Sequence, residues 1–321
     1  MLEARFLEVE RSDVRQAWAD LLAASPQRTP FSTLAYAEAL HEALGVSYRL
    51  AGVYEGETLA AGALLYERPL GPYRRVVIPP LTPYTPVLLR EPLREVDVHA
   101  RRSPLDALVR LLESRYHHLA LHLHPSLKDV RAFQWAGWSA RPFFTYRQAL
   151  GGADVLRRTA SRNVRRLAGS GSWHVAEAPD AVEVMLSLGE ASFNRQERSL
   201  PVEAIRLRRL MTSLLASGLA RLFTASQARG VAEGALVVLR DGTTAHDWFV
   251  GSRPGPARAC LTYDVLLQLH DEGVRCYDFG GANTPSIAEF KRRFGGTLTP
   301  YYRVERYTRP ELRLLDLARR R

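Results

Sequence analysis

At 321 residues, with 46% hydrophobic and 24% charged residues, the chain can form one large domain or two ordinary ones and is too apolar to be disordered. Its 44 Lys and Arg against 34 Asp and Glu leave a formal charge of +10, which favours anionic partners without choosing among nucleotide phosphates, RNA and an anionic membrane surface. The 2 cysteines, Cys260 and Cys276, exclude a disulfide framework and fit no metal-ligand spacing.

No apolar run approaches the ~20 residues of a membrane span. The first residues lack the apolar segment of a secretion signal. A cytoplasmic protein is expected, with room for peripheral contact with a membrane face.

In chain order, a strand is predicted over Ala4 to Val9, a helix around Val14 to Leu22, and an amphipathic helix over Ser32 to Leu44, ended by Gly45. From Arg49 to Pro69, two short strands flank a Glu55-Gly56 turn, which reads as a hairpin. The proline-rich run RRVVIPPLTPYTPVLL reads as a strand and an extended loop. A helix follows over Ser103 to Tyr116. The strand His117 to His124 puts His122 and His124 on one face without a third metal ligand. The aromatics from Phe133 to Tyr146, among them Trp135, Trp138, Phe143 and Phe144, read as core and closing strand of a first half that ends at Gly151-Gly152.

The second half opens with ADVLRRTASRNVRRLAGSG, read as one helix. Leu156, Ala160, Val164 and Leu167 form its apolar stripe. Arg158, Arg162, Arg165 and Arg166 share another face at i, i+3 and i+4 spacings. Such a face is either solvated or turned to phosphate or RNA. Helices over Asp180 to Phe193 and Val202 to Ser217 follow, joined by the loop NRQERSLP. The hairpin then recurs. RLFTASQARGVAEGALVVLRD repeats the first hairpin at a shift of 172: Arg49-Leu50 falls on Arg221-Leu222, and Ala60, Gly62, Ala63 and Leu64 fall on Ala232, Gly234, Ala235 and Leu236. A glycine-ended helix precedes each copy, which argues for two related halves.

Next come the strand TTAHDWFVG, the loop SRPGPAR, a helix closed by Gly273, and a strand carrying Asp278. Strand, helix, strand makes a parallel pair. A last helix and the strand LTPYYRVERY complete the sheet of this half, and a basic helix ends the chain. The last helix starts at Pro285, or from a Ser286–Glu289 capping box, and stops at Gly295-Gly296. Its stripe is Ile287, Phe290 and Phe294, and Lys291 lies within it. Lysine occurs only at Lys128 and Lys291, every other cation being Arg. A Lys on an inward face points to work for a compact ammonium, or to a stem snorkelling at the core edge.

The RNVRR run, the VAEGALV hairpin and YDFGGA…FKRRFGG resemble the FemAB-like branch of the GNAT acyltransferases, in which two GNAT-like halves share one chain. The resemblance covers residues 150 to 310. It implies an α+β fold of two tandem GNAT-like domains, residues 1–150 and 151–321. Each is a mixed, mostly antiparallel sheet flanked by helices, with a parallel strand pair in the second half. It implies an acyltransferase that moves an acetyl or aminoacyl group from acetyl-CoA, another acyl-CoA or aminoacyl-tRNA onto an amine acceptor, without metal or DNA. The acceptor class is a cell-envelope or polysaccharide precursor that can carry phosphate. The alternative is a catalytically silent double-GNAT module that binds tRNA or an anionic envelope precursor.

The family's motif lysine falls on Lys291, expected to contact the oxyanion or a phosphate. Asp247 is the candidate base, or a structural acid. Asp278 orients the amine or caps the next helix. Tyr263 is a proton donor to the leaving group, or a buried helix tyrosine. Arg253, Gly255, Gly280, Gly281 and Asn283 are assigned to the donor. The two prolines of SRPGPARA remove N–H groups that would cradle its diphosphate. Arg162, Arg165, Arg195, Gln196 and Arg198 are assigned to the substrate's phosphates and to acceptor selection. The acyl end is expected between the strands of His246–Val250 and Tyr277–Phe279.

Overall fold

The computed structural model describes residues 1–227, 230–309 and 311–314. The first elements in chain order are β1 (Leu2–Leu7), α1 (Ser12–Ala24), α2 (Leu34–Leu44), β2 (Ser47–Glu55), β3 (Thr58–Glu67), β4 (Arg75–Val77) and β5 (Val87–Leu89). Then come α3 (Glu95–His99), α4 (Pro104–Arg115), β6 (His118–His122), α5 (Arg131–Trp135) and β7 (Ser139–Ala149). The second half holds α6 (Ala153–Thr159), α7 (Arg162–Ala168), β8 (Trp173–Glu177), α8 (Val182–Asn194), α9 (Ala204–Ala216), β9 (Ala220–Gln227) and β10 (Ala232–Asp241). It ends with β11 (Thr244–Ser252), α10 (Ala257–Asp271), β12 (Cys276–Gly281), α11 (Pro285–Arg292) and β13 (Thr297–Tyr307). The basic C-terminal helix expected from the sequence falls largely on positions 310 and 315–321, outside the described residues.

The chain forms two compact units: residues 1–41, 45–143 and 300–321, and residues 42–44 and 144–299. In the first, strands run β1-β2-β3-β4-β6-β13, with β5 also on β3. Its core joins Leu65, Val76, Leu108, Leu112, Leu121 and Phe133. In the second, strands run β7-β12-β11-β10-β9-β8 around Phe223, Leu236, Leu261, Tyr277, Phe279 and Phe294. Both sheets are mostly antiparallel. The expected parallel pair is β11 with β12, and the first unit has one too, β4 with β6.

The repeat is visible in backbone detail. Each hairpin carries a bulge on its second strand, at Ala60 in β3 and at Glu233 in β10. In each, the bulge carbonyl accepts an arginine backbone N–H, from Arg90 at 2.9 Å and from Arg253 at 2.7 Å. A bulge frees a carbonyl from the ladder, and a third strand end takes it in both halves.

Several expectations change. The helix expected over ADVLRRTASRNVRRLAG is two: Ala160 is extended, and Ser161 caps α7 by accepting the Val164 N–H. The strand β8 was not anticipated. Ser286 and Glu289 form no capping box, and α11 starts at Pro285 behind Thr284. Trp135 and Phe144, expected in the core, are 41% and 37% exposed. The closing strand LTPYYRVERY was expected in the sheet of its own half. Residues 303–307 instead pair with β6, while residues 145–149 of β7 pair with β12. Each sheet is thus finished by the last strand of the other half.

Candidate active site

The second unit's parallel pair is short. Thr244, Ala245 and His246 of β11 lie beside Cys276, Tyr277 and Asp278 of β12, and pairing stops there. The cause is local. Gly280 takes φ +70°, a left-handed value open to glycine, and β12 shifts register against β7 between Asp278 and Gly281. A Cβ at Gly280 would stand 3.5 Å from the Asp247 carbonyl oxygen and 3.9 Å from Lys291 Nζ. Asp247, Gly280 and Lys291 therefore meet where the strands part.

Lys291 is the buried residue of α11, at 6% exposure. Its Nζ donates to the Phe279 carbonyl and, at 2.9 Å, to the Gly281 carbonyl. These are β12 carbonyls that the ladder with β11 no longer engages. Burial lowers the ammonium's pKa, and Asp247 opposes that shift.

The Asp247 backbone pairs with Val238 of β10, but its side chain forms no hydrogen bond or ion pair with a described residue. Burial raises its carboxyl pKa, with Lys291 and Arg258 pulling it down. Arg258, in the first turn of α10, completes the group. Its guanidinium lies 4.3 Å from the Phe290 ring centroid, its Nε is buried without a partner, and burial lowers its pKa against the pull of Asp247. The buried Tyr277 hydroxyl also has no partner, and its pKa is raised by burial and then by Asp247. Sequence reasoning passed over Arg258 and Tyr277. The one available signal was an arginine opening a helix directly behind the donor loop.

Asp278 is fully buried and fully engaged. It accepts from Thr145 Oγ1 at 2.6 Å and the Gly280 N–H at 2.9 Å, and Arg147 Nε lies 3.6 Å away. Burial alone would raise its pKa, but His246, Thr145, Arg147 and Gly280 together hold it below the usual range. Its bonds go to the Gly280 turn and not to the N-terminus of α11, whose cap residue is Thr284. Burial brings His246 down to about 4.

The other assigned residues have contacts of their own. Tyr263 is 7% exposed, and the charges acting on it are those of Arg157, Arg165 and Asp264. Arg162 and Arg165 are exposed on α7. Arg253 and Gly255 are exposed in the loop before α10, where Pro256 is the N-cap. Despite the prolines, the N–H groups of Ala257 and Arg258 bond to no described residue. Asn283 accepts the Phe144 N–H at 2.9 Å. Arg195 donates to the Ser252 carbonyl, Gln196 to the Ser192 carbonyl at 3.2 Å, and Arg198 lies 5.7 Å from the Phe193 ring centroid. Among the described residues no His, Cys, Asp and Glu group could hold a metal ion.

Residues 155–292 match the family model described as an acetyltransferase (GNAT) domain. This stretch is similar to that family's domain. Across almost the whole chain the fold is similar to FemX, at 12% identity and TM-score 0.72, covering 94% of this chain and 96% of that one. It is also similar to a tandem GNAT protein from the clavulanic acid biosynthesis pathway, at 17% identity and TM-score 0.56, covering 95% and 98%. A third likeness is to L-PGS from Bacillus licheniformis, at 11% identity and TM-score 0.53, covering 93% of each chain. No curated protein matches the sequence. At these identities the likeness is one of fold, and it bears out the expected α+β architecture. No helix among the described residues is long and apolar enough to cross a membrane.

Proposed function

We propose that the protein is an N-acyltransferase whose reaction takes place in the second unit, where β11 and β12 part. The observation that carries this reading is a charge imbalance around the buried Lys291. Lys291 and Arg258 face one uncommitted carboxylate, Asp247, because Asp278 is already held by Thr145, Gly280 and Arg147. Two cations and one anion in a desolvated place favour a ligand that develops negative charge, as an acyl carbonyl does on attack.

In the reaction, Asp247 accepts a proton from the acceptor ammonium, leaving a neutral amine. The nitrogen lone pair attacks the acyl carbon, a C–N bond forms, and the carbonyl electron pair moves onto oxygen. Collapse restores the carbonyl and breaks the C–S bond of an acyl-CoA or the C–O bond of an aminoacyl-tRNA. The attacking nitrogen, cationic once the C–N bond has formed, gives its surplus proton to the leaving oxygen or sulfur, and the proton first taken by Asp247 passes to solvent. The open N–H groups at the start of α10 and the exposed Arg162 and Arg165 suit a phosphate-bearing donor. Arg195, Gln196 and Arg198 are assigned to choosing the acceptor, with an envelope or polysaccharide precursor as the favoured class. A cytoplasmic site of action, with peripheral membrane contact, belongs to the same reading.

Incubation with radiolabelled acetyl-CoA or alanyl-tRNA and a set of phosphate-bearing amino sugars and lysyl peptides tests it. An amide product seen by mass spectrometry supports the enzyme. Donor-dependent thermal stabilisation without product supports the silent binding module.

A further inference from the structure

Lys291 is the residue that the sequence singles out, but two of its three N–H bonds go to the Phe279 and Gly281 carbonyls. An ammonium so engaged has one donor left. Arg258 differs. Its Nε is buried and unpartnered, and no described residue forms an ion pair with it. The Phe290 face, 4.3 Å from the guanidinium carbon, holds the planar group in place. Phe290 precedes Lys291 on α11, so the same helix turn that seats the ammonium also seats the guanidinium.

We infer that Arg258 is the catalytic residue that receives the negative charge on the acyl oxygen, while Lys291 is chiefly a positioning residue that holds the end of β12 open. This rests on the acyl transfer proposed above. As the amine attacks, the electron pair moving onto oxygen is met by the N–H groups of Arg258, and it returns when the leaving-group bond breaks. The fork geometry matters as well as the charge, since a lysine cannot offer it.

The test uses the full chain and whichever labelled donor, acetyl-CoA or alanyl-tRNA, the wild type turns over. Arg258→Ala is expected to lose about 100-fold or more in kcat, the loss typical of one missing oxyanion donor, with KM for the donor changed far less. Guanidinium chloride at low millimolar concentration is expected to restore part of that loss in Arg258→Ala and none in Lys291→Met. Arg258→Lys is expected to stay impaired. Arg258→Gln, which keeps the stacking and most of the volume, serves if the alanine variant does not fold. In a protein labelled at its aspartate carboxyls, Arg258→Gln should also shift the Asp247 titration to higher pH.

Two outcomes overturn the assignment. One is an Arg258→Ala or Arg258→Gln enzyme within twofold of wild type. The other is a lost activity that guanidinium does not rescue together with an unmoved Asp247 titration. A wild type that turns over neither donor overturns the acyltransfer reading itself, and the assignment of Arg258 with it.

Discussion

Lys291 Nζ donates to the Gly281 carbonyl at 2.9 Å, ten residues back along the chain, and to the Phe279 carbonyl beside it. One side chain of α11 thus closes the backbone of β12 after its pairing with β11 has ended. Replacing it tests the fold and the chemistry together. Each buried carbonyl left unsatisfied costs about 1–3 kcal/mol. Lys291→Met should therefore melt lower, by roughly 5 °C or more at the usual scaling for domains of this size. A variant that melts with the wild type would show that the two bonds are not formed in solution.

Gly280 is tied to the same place. An alanine there would be strained at φ +70° and would bring its methyl into contact with the Asp247 carbonyl at 3.5 Å. Gly280→Ala should cost about 1–2 kcal/mol in stability. Its transfer rate should fall further than that of other variants of equal stability, because Asp247 and Lys291 both border the added methyl. Urea unfolding and initial rates on the same preparation check this.

Gly251 shows how tightly α8 lies on β11. A Cβ there would stand 2.3 Å from the Gly189 nitrogen, which is backbone and cannot rotate away. Gly251→Ala should destabilise the second unit by about 1–3 kcal/mol or more through overpacking. A circular-dichroism melt unchanged from wild type would contradict this packing.

Acid should weaken the fold through two buried histidines. Burial lowers His246 and His122 to about 4 each. An unfolded histidine, near 6.5, takes up its proton first as pH falls. Stability is therefore full above about pH 6.5 and declines from there toward 4. Urea titrations at pH 7.5 and pH 5 should show a clear loss at the lower value. Equal midpoints would show that both rings are protonated in the fold.

Much of this was legible in the sequence, and the misses have physical causes. The phase of Lys291 on α11 revealed its burial because 100° per residue fixes a face without knowledge of the rest of the chain. The hairpin repeat was visible because small residues at matched positions serve the same packing in both copies. Arg258 was not visible, since its setting depends on α10 meeting Phe290 of α11, far along the chain. The exchange of β7 and β13 between the two sheets leaves no local trace, because either strand has the pattern to close either sheet. Trp135 and Phe144 were misplaced because apolarity alone does not say which aromatics remain at the surface.

The most direct measurement of the central claim is single-turnover transfer from a labelled donor by the wild type, Asp247→Asn and Lys291→Met, each confirmed folded. The account predicts transfer by the wild type and a loss of at least about 100-fold in Asp247→Asn, the magnitude typical of a missing proton acceptor, with a smaller loss in Lys291→Met. Transfer by Asp247→Asn within twofold of wild type would place the chemistry elsewhere.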